Sequence, residues 1–287
     1  MALKGRIINI NSTKYLVDAN GTTYDCILRG IFRKQGITPF VGDYVEINEL
    51  NHQIMKIEER NNYLNRPHIA NVDYAVIISS VKKPDLDLML LDKLIVSIVN
   101  NNIKPIIVFT KLDLLDKDEL KDINGIIDYY KKLGYPVYLN SEINEFEEFV
   151  SKKVIVLCGQ TGSGKSTFIN KMDSSLNLET NQISDALNRG KHTTRYVSLY
   201  KIKDYFIADT PGFSSLDLNE LSIEEIKRGF VEFNNYDCKY QDCNHINTDG
   251  CGILPNVSKE ILQSRYDNYT KIVREANESS RKFSKKW

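Results

Sequence analysis

GQTGSGKST, residues 159–167, is the stretch that decides the fold of this chain. It fits the pattern G-x-x-x-x-G-K-[ST], in which backbone N–H groups of a glycine-rich loop surround phosphates. The run KKVIVLCG (152–159) predicts a buried strand before the loop, and STFINKM (166–172) predicts a helix after it. A chance glycine-rich turn is the alternative, but a strand before and a helix after are what a phosphate loop requires. The four fixed positions of the pattern are Gly159, Gly164, Lys165 and Ser166.

Each part of this loop has an expected contact with a bound nucleotide. Lys165 is expected to reach the β- and γ-phosphate oxygens, where it is also a candidate catalytic residue, and Ser166 to supply a hydroxyl ligand to Mg²⁺. The other loop residues are expected to line the nucleotide site: Gly159, Gln160, Thr161, Gly162, Ser163, Gly164 and Thr167.

Apolar runs and helical patterns alternate through the middle of the chain. The segment 85–101 (DLDLMLLDKLIVSIVNN) has helical periodicity, and a second helix is predicted to end near Leu133. This alternation indicates a parallel sheet covered on both faces, which is the α/β class. The predicted strands around the phosphate-loop strand are YAVIISS (74–80), KPIIVFT (104–110), PVYLNS (136–141) and YFIADTPG (205–212).

A second phosphate and metal contact is predicted downstream of the loop. Asp209 ends an apolar strand, where its carboxylate can hold Mg²⁺ through water, while the backbone of Gly212 can meet the γ-phosphate. Between the two loops, GKHTTR (190–195) offers a threonine, Thr193 or Thr194, as the third Mg²⁺ contact. A polar turn before the strand YVSLYKI is the alternative reading of that segment. The predicted magnesium ligands are Ser166, Thr194 and Asp209, with Thr193 at the nucleotide. Thr194 is also a candidate catalytic residue.

The stretch VFTKLD (108–113) is the candidate base-reading loop. A carboxylate such as Asp113 can accept from guanine N1–H and from the exocyclic amine, whereas adenine offers neither donor there. The alkyl stem of Lys111 is expected to lie along the base, and Thr110 stands where the usual pattern has Asn. The loop follows a predicted parallel strand, at the end where α/β proteins bind ligands. Ser141, after the next strand, is a candidate backbone contact to the base.

The order of these elements is rotated relative to an ordinary GTPase. The base loop comes first, followed by the phosphate loop, the threonine segment and the segment D-x-x-G. Circular permutation rearranges the connections and leaves the residues around the ligand unchanged, and it is tolerated where chain termini lie close together. We therefore expect a circularly permuted GTPase domain.

The N-terminal 65 residues carry short alternating runs separated by turn residues about every ten positions. This spacing predicts a small β-barrel or sandwich. The segment NRPHIANVD (65–73) is typical of a domain boundary. The N-terminus resembles no secretion signal and no stretch is apolar enough to span a membrane, so we expect a cytoplasmic protein without a membrane partner.

Four residues near the C-terminus have the chemistry of a metal site. They read C-x4-C-x-H-x5-C, and three thiolates with one imidazole form a closed tetrahedral set typical of structural Zn²⁺. Three buried thiols beside a surface histidine are the alternative. The residues are Cys238, Cys243, His245 and Cys251.

Together these motifs resemble the bacterial ribosome small-subunit-dependent GTPase A family, over essentially the whole chain. RPHIANVD, TKLD, GQTGSGKSTFIN, GKHTT, DTPGF and the metal cluster follow that family's order. The resemblance implies an OB-fold barrel (residues 1–66), a permuted GTPase domain (67–216) and a helical zinc-binding domain (217–287). It also implies late maturation of the small (30S) ribosomal subunit, with contacts to its rRNA and GTP hydrolysis stimulated by the subunit. We expect a monomer that binds GTP or GDP, Mg²⁺ and one Zn²⁺, and does not bind DNA.

These motifs do not identify the residue that orients the catalytic water. Phe213 follows D-x-x-G, where many GTPases have a glutamine that orients water, so either another group or the ribosome must supply this function. His192 is the nearest candidate, and members of the resembled family have a histidine there; a loop histidine without a role is the alternative. Two other functions stay open: a P-loop ATPase, and an RNA-binding switch with little turnover. The tail after Lys259, with eight basic and four acidic residues, fits either a solvated helix end or an RNA contact.

Overall fold

The computed structural model describes residues 2–65, 68–173, 197–209, 218 and 221–284. Within these ranges an N-terminal barrel, a six-stranded sheet with helices and a C-terminal helical region follow one another along the chain. None of the described helices is long and apolar enough to cross a membrane.

Five strands close into the N-terminal barrel. Each pairs with its neighbours in the order β1-β2-β3-β5-β4, and β4 returns to β1, so this sheet has no free edge. The alternation of KYLVDA places every second side chain of β2 in the barrel core, as a half-buried strand requires. A short helix, α1 (Gly30–Lys34), connects β3 to β4. The strands are β1 (Ala2–Asn11), β2 (Lys14–Ala19), β3 (Thr22–Leu28), β4 (Tyr44–Asn48) and β5 (Gln53–Ile57).

A small hairpin links the barrel to the central sheet. Its strands are β6 (Tyr63–Asn65) and β7 (His68–Ala70), and Val41 of the barrel forms a bridge with Ile69. The hairpin overlaps the predicted boundary segment, residues 65–73, and begins two residues before it.

The central sheet has the strand order β10-β9-β8-β11-β13-β12. All neighbouring pairs are parallel except β12–β13. The chain moves outward from β8 to β10, then returns to place β11 beside β8, so the strand order reverses between β8 and β11. Ligands of open α/β sheets bind at such a reversal, beyond the carboxyl ends of the strands. The strands are β8 (Tyr74–Ser80), β9 (Lys104–Thr110), β10 (Val137–Leu139), β11 (Val154–Cys158), β12 (Ser198–Ile202) and β13 (Tyr205–Asp209).

Among the residues that the structure describes, four helices accompany this sheet, and their ends follow from local sequence. The Asp87 carboxylate accepts from the Leu90 N–H at 2.9 Å and caps α2, while Asp116 and Glu119 form a capping box at the start of α3. The helices are α2 (Leu88–Asn100), α3 (Lys117–Lys132), α4 (Ile143–Phe149) and α5 (Lys165–Met172).

The barrel and the central sheet are continuous. Asn9 of β1 pairs with Ser198 of β12, and their side chains are joined by a hydrogen bond of 2.5 Å. The outer strand β12 therefore lies against the barrel, and the two sheets form one eleven-stranded system.

The C-terminal region packs on helix α2 of the central domain. It contains the helices α6 (Ile223–Lys227) and α7 (Gln263–Ser284) and two 3-10 turns, Val231–Asn235 and Leu254–Asn256. Val96 of α2 belongs to its apolar core. Gly229 approaches so closely that an added Cβ would lie 2.5 Å from a methyl carbon of Val96.

A buried ionic network fastens this region to the central domain. Arg265 of α7 donates to Asp92 of α2 at 2.6 Å and to both carboxylate oxygens of Glu232 at 2.8 and 2.9 Å. Tyr130 of α3 and Asn268 of α7 each donate to Asp92 at 2.7 Å. Arg265, Asp92 and Glu232 are all at least 97% buried, so each charge depends on its partners for the solvation that it has lost.

Candidate functional site

The predicted phosphate loop connects β11 to α5, at the point where the strand order reverses. Gly159 has φ +129°, and a Cβ there would lie 2.2 Å from the carbonyl oxygen of Ile78 on β8. Gly162 and Gly164 also have positive φ values, of +76° and +95°. These backbone angles favour glycine and allow consecutive N–H groups to turn toward one side of the loop. The geometry is that of an anion-binding loop at a helix N-terminus.

Lys165 and Ser166 lie in the first turn of α5, as expected for phosphate and metal contacts. The ammonium group of Lys165 donates to the carbonyls of Gly159 and Gln160 at 2.8 and 2.7 Å, so it lies across the loop. Burial lowers the pKa of Lys165, because the loss of surrounding water disfavours its charged form. An anionic phosphate in this loop would restore the stability of the charged form. Ser166 is buried at the same helix end.

The predicted base loop lies beside the phosphate loop. Thr110 ends β9 and is 2% exposed, and its hydroxyl donates to the Ser163 carbonyl at 2.6 Å. The Lys111 ammonium donates to the Gly162 carbonyl at 2.7 Å and also to the carbonyl of Lys83. Two hydrogen bonds from the predicted base loop, one from Thr110 and one from Lys111, therefore position the predicted phosphate loop.

Asp113 lies beyond these contacts, in the 3-10 turn Leu112–Leu114, and its side chain is exposed. The turn begins after Lys111, whose φ of +64° changes the chain direction at the end of β9. This position allows the carboxylate to meet a ligand from solvent.

The turn after β10 completes this edge of the sheet. Ser141 is exposed in that turn, and the carbonyl of its neighbour Asn140 accepts from Lys171 of α5 at 2.9 Å. The Asn140 N–H donates to the Phe109 carbonyl at 3.0 Å. These bonds place the turn between β9 and α5, next to both predicted loops.

Several predicted site residues lie outside the described residues. His192, Thr193, Thr194, Gly212 and Phe213 are among them. The backbone of Asp209 ends β13, at the same edge of the sheet as Thr110 and Cys158, while its side chain is outside the described part.

The four metal-ligand candidates come together in the C-terminal region. Their ligand atoms all lie within 4.8 Å of one another, and all but Cys238 are buried. Burial, followed by the charge of Lys227, lowers the pKa of His245 to about 4, so its imidazole is neutral near pH 7 and can donate a lone pair to a metal. The residues are Cys238, Cys243, His245 and Cys251.

Neighbouring groups hold the loop that carries these ligands. Tyr266 and Tyr269 of α7 donate to the carbonyls of His245 and Asn244 at 2.9 and 2.7 Å. The Gly252 N–H donates to the sulfur of Cys238 at 3.3 Å, as backbone amides do to metal thiolates. The cluster can therefore hold one metal ion.

Two family models match the chain. The RsgA GTPase model matches residues 57–219, and the RsgA N-terminal domain model matches residues 4–54. The chain belongs to the RsgA GTPase family. It is therefore an enzyme that hydrolyses GTP, and guanine nucleotide is its ligand.

Similar proteins of this RsgA family span the same length. The chain is 44% identical over 283 residues to the "small ribosomal subunit biogenesis GTPase RsgA 2" of Oceanobacillus iheyensis, covering 95% of this chain and 97% of the relative. It is 41% identical over 297 residues to the "small ribosomal subunit biogenesis GTPase RsgA" of Streptococcus pneumoniae, covering 99% of each.

Two solved structures share the fold. YjeQ from Thermotoga maritima superposes with a TM-score of 0.82 at 32% identity, over 96% of this chain and 99% of that protein. YloQ, described as a circularly permuted GTPase, superposes with a TM-score of 0.83 at 33% identity, over 97% and 96%. The predicted three-part architecture and the permutation of the RsgA GTPase domain are confirmed.

Proposed function

We propose that this GTPase assists maturation of the small (30S) ribosomal subunit and contacts its rRNA, with turnover stimulated by the subunit. The names of full-length relatives at 41–44% identity refer to biogenesis of that subunit. The observation that carries the proposal is the joining of base and phosphate loops at one sheet edge in a chain of this family. We place the protein in the cytoplasm as a monomer, with RNA rather than DNA as its nucleic acid.

We assign guanine recognition to Asp113 and the surrounding edge of the sheet. Asp113 accepts from the two guanine donors, the stem of Lys111 covers one side of the base, and the turn at Ser141 adds a backbone contact. Thr110 holds the phosphate loop in register with this base site. The exposed position of Asp113 beside Lys111 supports the assignment.

The phosphates lie in the loop 159–167 in this proposal. Backbone N–H groups contact their oxygens, and Lys165 exchanges its bonds to the loop carbonyls for bonds to the β- and γ-phosphates. A bound Mg²⁺ would neutralise developing charge between these phosphates. Its proposed ligands are Ser166, Thr194 and Asp209, with Thr193 and the backbone of Gly212 near the γ-phosphate.

The metal of the cysteine–histidine cluster is proposed to be Zn²⁺. Three thiolates and a neutral imidazole suit zinc, and four protein ligands leave no open position for catalysis. The site therefore stabilises the C-terminal region, which we treat as a domain of residues 217–287, after the barrel (1–66) and the GTPase domain (67–216).

Water activation is the step that the subunit is proposed to complete. Phe213 cannot orient water, and His192 is the candidate in this chain. We expect slow hydrolysis by the free protein and marked stimulation on the subunit. Normal subunit-stimulated hydrolysis by His192→Ala would contradict the role of His192.

The test is multiple-turnover phosphate release from GTP and from ATP, with and without purified small subunits. The proposal predicts release from GTP that rises strongly with small subunits and little release from ATP. Little release both with and without subunits would favour a nucleotide-regulated RNA-binding switch, and preference for ATP would indicate a P-loop ATPase. A matched measurement with large subunits controls for nonspecific stimulation.

A further inference from the structure

A groove of about 650 Å³ lies between the barrel and the central sheet, away from the nucleotide site. Its walls come from β1, β4 and β5 of the barrel and from Phe206 near the start of β13. Lys152 and Asp204 precede β11 and β13, so the groove lies at the amino edge of the parallel sheet, opposite the loops that bind nucleotide. Its volume is in the range of small-ligand sites, about 300–1,000 Å³.

Arg6 is the unusual residue of this groove. It is 8% exposed, and no carboxylate lies within ion-pair distance of it in the described part of the chain. Its guanidinium carbon lies 4.3 Å from the ring centroid of Tyr44 and 5.7 Å from that of Phe206, and it donates to the Tyr44 hydroxyl. Buried charges are normally paired, so an arginine held between two aromatic rings is a ready partner for an anion.

The charges around the groove also favour an anion. Lys4 and Lys152 line it and are exposed, and Lys201 lies at its edge with its ammonium 6.0 Å from the ring centroid of Phe206. These three lysines, like Arg6, have no ion-pair partner among the residues that the structure describes.

Three carboxylates share the groove with these cations. Glu58 is paired with Lys56 at 2.8 Å, and Asp204 accepts from the Ser151 hydroxyl at 2.6 Å. Asp18 lies opposite Arg6 on the neighbouring strand without forming an ion pair with it. Four cations (Lys4, Arg6, Lys56 and Lys152) and these three carboxylates line the groove, so the lining has an excess of one positive charge, to which Lys201 adds another at the edge.

An exposed aromatic ring adds a surface for a base. Tyr44 is 43% exposed and stands at the mouth of the groove beside Arg6. Aromatic rings that stack bases, combined with cations that contact phosphates, are the two features of single-stranded nucleic-acid sites. An acidic peptide would use the cations and leave the ring without a specific role.

We propose that this groove binds a single-stranded RNA segment, with a base stacked on Tyr44 and phosphates near Arg6, Lys4 and Lys152. The choice of RNA rests on the proposed role at the small ribosomal subunit. The groove would add an RNA contact that bridges the barrel and the GTPase domain, because its walls come from both.

The test measures binding of a fluorescein-labelled, 12-nucleotide single-stranded RNA to the full chain by anisotropy across a salt series. The rim variant Lys4→Gln/Lys152→Gln leaves the Arg6 contacts intact. Lys131→Gln/Lys132→Gln, which removes two exposed charges from the end of α3, is the matched control. Tyr44→Leu tests stacking, and Arg6→Met tests the buried cation.

The rim variant is expected to bind the RNA about tenfold more weakly. The magnitude of its slope of log K against log salt is expected to fall by about 1.4, because two phosphate contacts are lost and each contributes about 0.7 on a single strand. Tyr44→Leu is expected to weaken binding by about tenfold with little change in the salt slope, because stacking is not ionic. Arg6→Met should show both effects. The control should stay within about twofold of the unaltered protein.

Unchanged affinity and slope in the rim variant would overturn the proposal. The proposal would also be overturned if a polyglutamate peptide of equal charge competed as strongly as unlabelled RNA, because this would indicate an acidic protein ligand instead. Phosphate release on small subunits separates this proposal from the proposed function. If small subunits do not stimulate the unaltered protein but the rim variant loses oligonucleotide binding as predicted, the proposed function is refuted and the groove proposal is kept. If small subunits do stimulate the unaltered protein but the rim variant binds the oligonucleotide normally, the groove proposal is refuted.

Discussion

The hydroxyl of Thr110 donates to the backbone carbonyl of Ser163 at 2.6 Å, and so joins the proposed base loop to the glycine-rich loop across 53 residues of chain. Thr110 also packs against Gly164, whose added Cβ would lie 3.6 Å from the Thr110 hydroxyl oxygen. The residue that makes TKLD differ from the usual motif therefore has a structural function. The hydrogen bond of Thr110 fixes the position of the phosphate loop relative to β9.

Thr110→Val is expected to weaken GTP binding. The substitution keeps the shape but leaves the Ser163 carbonyl without its donor, which costs about 1–3 kcal/mol. We expect KM for GTP to rise about tenfold, since 1.4 kcal/mol corresponds to a factor of ten. Thr110→Ser retains the hydroxyl and should behave nearly as the unaltered protein in the same steady-state assay. Identical kinetics for Thr110→Val and Thr110→Ser would show that the hydrogen bond is unimportant.

Gly159→Ala is expected to disrupt the phosphate loop. An alanine there combines a φ of +129° with a Cβ 2.2 Å from the Ile78 carbonyl oxygen, and this backbone cannot move without shifting β8. We expect a loss of about 2–5 kcal/mol in the free energy of unfolding, and loss of GTP binding by calorimetry.

Gly125→Ala is the matched control for that substitution. Gly125 is exposed in α3, and an added Cβ meets no atom within 4 Å. Alanine in a helix is favoured over glycine by about 0.5–1 kcal/mol, so this variant should gain stability and bind GTP normally. Equal stability of the two alanine variants would contradict the described loop geometry.

Arg265→Met is expected to destabilise the contact between α7 and α2. The change leaves Asp92 and Glu232 buried without a cation, and breaking a buried pair costs about 3–5 kcal/mol. Lys93→Met is the control at the same interface, because Lys93 pairs with Glu275 at 2.6 Å on the surface. That exposed pair is worth about 0–1 kcal/mol. Urea unfolding followed by circular dichroism compares the variants, and similar midpoints would disprove the importance of the buried network.

Metal analysis of the purified protein is expected to give one zinc per chain. Cys251→Ser should lose the metal and lower the thermal midpoint of the C-terminal region, because a structural zinc site contributes folding free energy. Cys26→Ser alters a buried thiol in the barrel core, outside the cluster, and should keep its zinc. If the purified protein contains no zinc and Cys251→Ser leaves its melting profile unchanged, the zinc assignment is contradicted. The four residues would then be three thiols and a histidine without a metal.

Much of the central fold could be predicted because its signals are local. The strands β8 and β9 coincide with the apolar runs YAVIISS and KPIIVFT, and α3 ends at Lys132, next to the predicted end at Leu133. Order along the chain was sufficient to predict the permutation, since each motif keeps its place after a particular strand. The cysteine–histidine cluster was likewise visible from its spacing.

The long-range contacts left no such signal. Asp92 and Arg265 are 173 residues apart, and neither interrupts the pattern of its own helix in a way that predicts a buried charge. The pairing of β1 with β12 joins two sheets that appear separate in the sequence. In the sequence, Thr110 only makes TKLD an imperfect match to the usual motif. Its hydrogen bond to Ser163 could not be predicted, because that bond depends on how β9 and β11 are arranged. In each case the information lies in the packing of distant segments.

The most direct test of the assigned nucleotide site is the base preference of Asp113→Asn. An asparagine amide can donate to the 2-carbonyl of xanthine and no longer offers a carboxylate to guanine, so the hydrogen-bonding pattern is reversed. The measurement is kcat/KM for hydrolysis of GTP and of XTP by the unaltered protein and by Asp113→Asn, in the presence of small subunits. We expect the substitution to lower kcat/KM for GTP and to raise kcat/KM for XTP, changing the preference from guanine to xanthine. An unchanged preference for GTP would contradict the assignment of Asp113 as the residue that reads the base.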